Sequence, residues 1–104
     1  MRVVRIHAAA VEEVVEAAAW YEKERPGLGS EFNQAIDAAL DLLEEDIVPL
    51  TSMPGSTAAQ GVKRLLLRRF PYAVVVQERG TEILVLAIAH HARRPGYWRG
   101  RTGA

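Results

Sequence analysis

A chain of 104 residues with 49% hydrophobic and 25% charged side chains and no cysteine has room for one core. That excludes two domains and whole-chain disorder, and it leaves no disulfide framework or thiolate metal site. The formal net charge is zero, but residues 1–60 carry four Lys and Arg against eleven Asp and Glu (−7), and residues 61–104 carry nine against two (+7). Arg2–Ile6 is short and β-branched and predicts a strand. From Ala8, Val11, Val14, Val15 and Ala18 recur at helical steps, with Glu12, Glu13 and Glu16 expected on the opposite, solvated side and suited to the positive end of the helix dipole. This helix runs through Trp20 and Tyr21, both expected in packing, and ends before Pro26. The short connector RPGLG, with Gly27 and Gly29 as turn residues, folds a second helix back on the first. Ser30 is its expected cap, and Phe32, Ile36, Ala39, Leu40 and Leu43 form its buried stripe.

Residues 46–61 contain two prolines and two glycines without a period and predict a loop, with Ile47, Val48, Leu50 or Met53 packing under it. Val62–Arg69 predicts a strand. Tyr72–Glu78 and Glu82–Ala89 predict a hairpin turned by Arg79-Gly80-Thr81, antiparallel to that neighbour. The expected fold class is therefore α/β (α+β): an N-terminal strand and an antiparallel helical hairpin, packed on a mostly antiparallel sheet of about four strands. Residues 1–98 make one domain, and 99–104, lacking an apolar anchor, a flexible C-terminal tail. The longest apolar runs (Leu65–Leu67, Ala73–Val76, Ile83–Ala89) are too short to span a bilayer, and acids interrupt the N-terminus before a signal-type core forms. A cytoplasmic protein without a membrane partner is expected.

Three segments, AAAWYEKERPGLGSEF (17–32), KRLLLRRFPYAVVV (63–76) and LVLAIAHHARRPGYW (84–98), in this order and spacing, resemble the RelE/ParE toxins of bacterial type II toxin–antitoxin systems. The resemblance covers nearly the whole chain. It implies a small α/β toxin domain without cofactor, a growth inhibitor of the plasmid-stabilization kind, held in a hetero-oligomer by a cognate antitoxin that folds along its surface. RelE-like and HigB-like members cleave mRNA on the ribosome; ParE-like members share the fold and are associated with poisoning DNA gyrase.

Metal-free RNA cleavage needs proton carriers beside a phosphate-holding cation. In RelE-like members an arginine follows an SGY-type turn and a tyrosine stands near the C-terminus. Here the turn is FPY, the next residue is Ala73, and Tyr97 is one residue off register, with Trp98 in its place. Both departures favour the ParE-like branch, a binder without its own covalent chemistry. Arg93, Arg94, Tyr97 and Trp98 are then the expected target-binding residues, since arginine and aromatic side chains concentrate binding energy; their structural alternative is a latch with Trp98 packed on the sheet and the arginines solvated. Lys63, Arg64, Arg68 and Arg69 are expected to form the antitoxin-binding or basic surface, one of each pair per sheet face. The alternative is a metal-independent mRNA endoribonuclease using His90 or His91 with Arg68, Arg93 and Arg94. A second alternative is a non-toxic, antitoxin-binding relic. No metal site is expected, because successive strand histidines point apart.

Overall fold

The computed structural model describes residues 2–46, 50–52 and 61–102. The chain runs β1 (Val3–Ile6), α1 (Ala8–Glu24), α2 (Leu28–Glu45), β2 (Thr51–Ser52), β3 (Val62–Leu66), β4 (Tyr72–Arg79) and β5 (Glu82–His90), then a 3₁₀ turn at Arg99–Arg101. The sheet order is β1-β5-β4-β3-β2, parallel only between β1 and β5. The α+β class and helical hairpin are as expected; the two-residue β2, from a stretch read as loop, makes the sheet five-stranded. Of the residues expected beneath that stretch, Leu50 packs against the main core; Ile47, Val48 and Met53 lie outside the described residues.

Both helices cover one sheet face. Phe32, Ile36, Ala39 and Leu43 of α2 pack on Phe70, Val74, Val76, Val85 and Ile88, as the stripe predicts. Tyr21, Phe32, Phe70 and Tyr72 meet at ring-centroid distances of 4.9 to 6.3 Å, the range in which aromatic pairs attract. α1 is rotated from its expected orientation. Its buried residues are Ala10, Ala17 and Tyr21, while Val11, Val15 and Trp20 are exposed. Two causes act together. Alanines allow a closer approach than valines, and Glu13, between Ala10 and Ala17, is drawn inward by partners described below.

Ser30 does not cap α2. The helix begins one turn earlier, after Gly27 at φ +90°, and the Glu22 carboxylate accepts from the Gly27 and Gly29 amides at 3.0 to 3.1 Å. Gly29 is helical rather than a turn residue; a Cβ there would lie 2.5 Å from the Ala18 carbonyl oxygen, so its absence lets the helices touch. α1 is capped by His7, whose Nδ1 accepts from the Ala9 amide at 3.1 Å, and its first turn holds no acid.

The second face is dry too. Val62, Val75, Leu86 and Ala87 pack under Trp98, which is 3% exposed. A bulge makes this possible. Val75 pairs with Ala87 and Val76 with Val85, so Leu86 is unpaired and both Leu86 and Ala87 face Trp98. β3 ends at Leu66, so Arg68 and Arg69 sit in the following turn, where strand alternation does not sort them between faces. Of the segment expected as a tail, Arg99–Arg101 form the 3₁₀ turn, and Arg101 is tied into the fold.

Glu78 of β4 joins three elements. It accepts from Arg2, which also pairs with Asp46 at 2.9 Å, and it meets Lys63 at 2.7 Å. The Lys63 hydrogen bond first, then that of Arg2, hold its pKa below the ordinary carboxylate value. A depressed folded-state pKa contributes stability that is present above the unfolded value, about 4.3, and lost as pH falls through the folded value. Glu78→Gln should therefore cost about 1 kcal/mol at pH 7, with the difference closing in acid. Urea midpoints measured against pH would contradict this if the gap stayed constant below the carboxylate range.

Candidate functional site

β1 pairs only with Glu82–Val85, so the following residues of β5 have no strand on that side. Side chains fill the gap. The Ile88 amide donates to Glu13 Oε1 at 2.9 Å, and the Leu86 carbonyl accepts from Arg101 Nη1 at 2.9 Å. The two side chains then bind each other: Arg101 donates from Nη1 and Nη2 to Oε1 and Oε2 of Glu13 at 3.1 and 3.2 Å. The Tyr97 hydroxyl donates to Glu13 Oε2 at 2.7 Å, and Arg93 reaches the same oxygen at 3.7 Å. Glu13 is 12% exposed and Arg101 19%, so these charge-assisted bonds lie mostly out of water, where they are strongest. One carboxylate on α1 therefore fastens β5 and the whole C-terminal segment. It was read from the sequence as solvated. Its position on the helix face, shared with Ala10 and Ala17, was the one available signal.

The segment between is shaped by its own backbone. His90 Nδ1 accepts from the Ala92 amide at 2.9 Å, and the His91 amide donates to the Pro71 carbonyl at 2.9 Å. Gly96, at φ +79° and with the Arg99 side chain where a Cβ would stand, turns the chain so that Trp98 enters the sheet. The Arg93 guanidinium carbon stands over the Tyr97 ring, 3.7 Å from its centroid, and that of Arg101 stands 5.2 Å away.

Arg93, Arg94, Tyr97 and Trp98 thus share one segment but present different things. Trp98 is buried in the manner of a latch and offers no ring to a partner. Tyr97 is covered by Arg93. Its pKa is raised, first by burial and then by the Glu13 carboxylate, so it keeps its proton through the physiological range. Arg93 and Arg94 are exposed. His90 packs edge-on to Tyr72 at 4.9 Å. Arg68 lines a groove on α2, whereas His90 and His91 line a concavity across the sheet; the three are not brought together. Among the described residues no group of three His, Asp or Glu is placed to hold a metal ion.

The basic residues also divide. Lys63 is paired with Glu78, and Arg69 with Glu31 at 2.7 Å. With Arg93 and Arg101 on Glu13, part of the charge segregation is spent within the molecule, between the acidic helices and the basic C-terminal half. Arg64, Arg68 and Arg94 meet no carboxylate among the described residues. Arg68 and Arg69 rim a groove of about 620 Å³ between α2 and β3, floored by Ala35, Ala38, Ala39 and Leu66. Leu66 is 49% exposed.

This architecture defines a class, small α+β domains with a helical hairpin on one face of a mixed sheet. A solved chain of the same fold comes from the chromosomal ParDE toxin–antitoxin system from P. aeruginosa, at a TM-score of 0.69 and 20% identity over 86% of this chain and 96% of that one. The RelE/ParE-like fold expected from the resemblance is present. No protein-family profile and no curated protein matches the chain, and no helix among the described residues is long and apolar enough to cross a membrane.

Glu13→Ala leaves Arg101 without a carboxylate, the Tyr97 hydroxyl without an acceptor and the Ile88 amide bare. The expected loss is about 3 kcal/mol of stability, with exchange of the Ile88 amide accelerated more than that of Val74 in the core. Equal acceleration at both positions in hydrogen-exchange NMR would contradict a local fastening role.

Proposed function

We propose that this protein is the toxin of a toxin–antitoxin pair, a ParE-like growth inhibitor that acts by binding its target, DNA gyrase, and is neutralised by a cognate antitoxin. The observation that carries this reading is the commitment of Tyr97 and His90. Tyr97 is bound to Glu13 with its pKa raised, and His90 is engaged through Nδ1 and its ring. Ala73, where RelE-like members carry an arginine, is a methyl group on the floor of the concavity. General acid–base cleavage needs such groups free and convergent on one phosphate. Binding needs only a fixed surface. The segment around Arg93 and Arg94, held from behind by Glu13 and Trp98, supplies one at low ordering cost.

The antitoxin is assigned to the groove between α2 and β3. Its exposed leucine and alanine floor suits the apolar face of a segment that folds on contact, and Arg68 and Arg69 on the rim suit acids beside that face. The partnership finds support in the fold shared with a chain of a ParDE system.

Brief, controlled induction in bacteria with pulse labelling of DNA and protein tests the mechanism. DNA synthesis is expected to stop first, and replacing both His90 and His91 by Ala should leave the arrest unchanged. Earlier arrest of protein synthesis, abolished by the histidine replacements, would establish the mRNA endonuclease instead. No arrest at all would leave an antitoxin-binding relic.

A further inference from the structure

We infer that the concavity walled by Arg64 and Arg94 is a carboxylate pocket that takes one acidic side chain of a protein partner. It rests on the binding reading above and adds the chemistry of the group bound.

Arg64 stands on β3 opposite Val75, on the sheet face that Trp98 covers. Its Nε is buried without a hydrogen-bond acceptor, and among the described residues no Asp or Glu lines the concavity. A guanidinium is a rigid fork of donors matched to a planar carboxylate. One set against apolar groups with a donor unmet is poised for an anion. Room for that anion comes from Ala73 and Ala89, paired across β4 and β5, whose methyl groups leave about 100 Å³ above them. His91 and Arg94 are exposed at the mouth as further donors.

Size and lining decide which oxyanion fits. The space admits a carboxylate and its methylene stem and is too small for a nucleoside. The walls include Val75, Pro95 and Trp98, apolar surface that suits such a stem. Single-stranded nucleic acid is gripped by free aromatic faces along a basic trough. Here Trp98 is buried and Tyr97 lies under Arg93. Arg93 is already drawn to Glu13, which leaves charge for one acid rather than for a chain of phosphates.

The test is NMR on the intact chain, following the Arg64 Nε–H and the Ala73, Ala89 and Gly96 amides during addition of sodium propionate at constant ionic strength. Inorganic phosphate and a deoxythymidine dinucleotide are the parallel probes. Propionate should give saturable shifts at all four positions, half-complete in the millimolar range, and Arg64→Gln should weaken it at least tenfold. Arg94→Gln, at an exposed position, should weaken it severalfold and serves if the first variant does not fold. Unsaturated shifts spread over every exposed arginine would overturn the pocket. Tighter binding of phosphate would overturn its carboxylate preference, and tighter binding of the dinucleotide would make it a nucleic-acid site. Failure here would leave arrest of DNA synthesis untouched, and a chain that arrests nothing in cells could still bind propionate, so the two failures are separable.

Discussion

The Glu13 carboxylate is the constraint around which β5 and the C-terminal segment are arranged. β5 is longer than the strand beside it, and an unsatisfied strand edge is both costly and open to unwanted pairing. Glu13 and Arg101 close that edge with side chains instead of backbone. The same two oxygens hold Tyr97 and attract Arg93, so satisfying the edge also fixes where the C-terminal segment lies. Trp98 completes the attachment by burying its ring over Val75 and Leu86, which the bulge at Leu86 makes possible.

The bonds that give the segment its shape also occupy Tyr97 and Arg93. A tyrosine that donates to a carboxylate, and whose pKa is raised, is a poor base and a poor acid near neutrality. An arginine held over a ring and drawn to Glu13 is a fixed feature of a surface. Arg64, Arg68 and Arg94, which meet no carboxylate among the described residues, lie at the sheet-face concavity and the α2–β3 groove.

The sequence made some of this legible and hid the rest for physical reasons. The α2 stripe is strong because five apolar positions agree in phase, and they pack as read. The β4–β5 hairpin follows from long apolar runs around an obvious turn. α1 misleads because alanines and valines both count as apolar. Periodicity cannot tell that the smaller ones face the core, nor that Glu13 goes inward to partners 75 to 88 residues away. The tail misleads for the same reason: Arg101 anchors by charge, invisible to a search for apolar anchors. Ser30 is not a cap because α2 starts at Leu28, one turn earlier, where Glu22 of the preceding helix accepts from the Gly27 and Gly29 amides.

The most direct measurement is a double-mutant cycle on Glu13→Gln and Arg101→Gln by equilibrium urea unfolding. If one carboxylate fastens the segment, the two changes should couple by about 1–3 kcal/mol, as residues in one network do. Losses that add to within about 0.5 kcal/mol would mean the two residues act independently, and would contradict a single carboxylate fastening the segment.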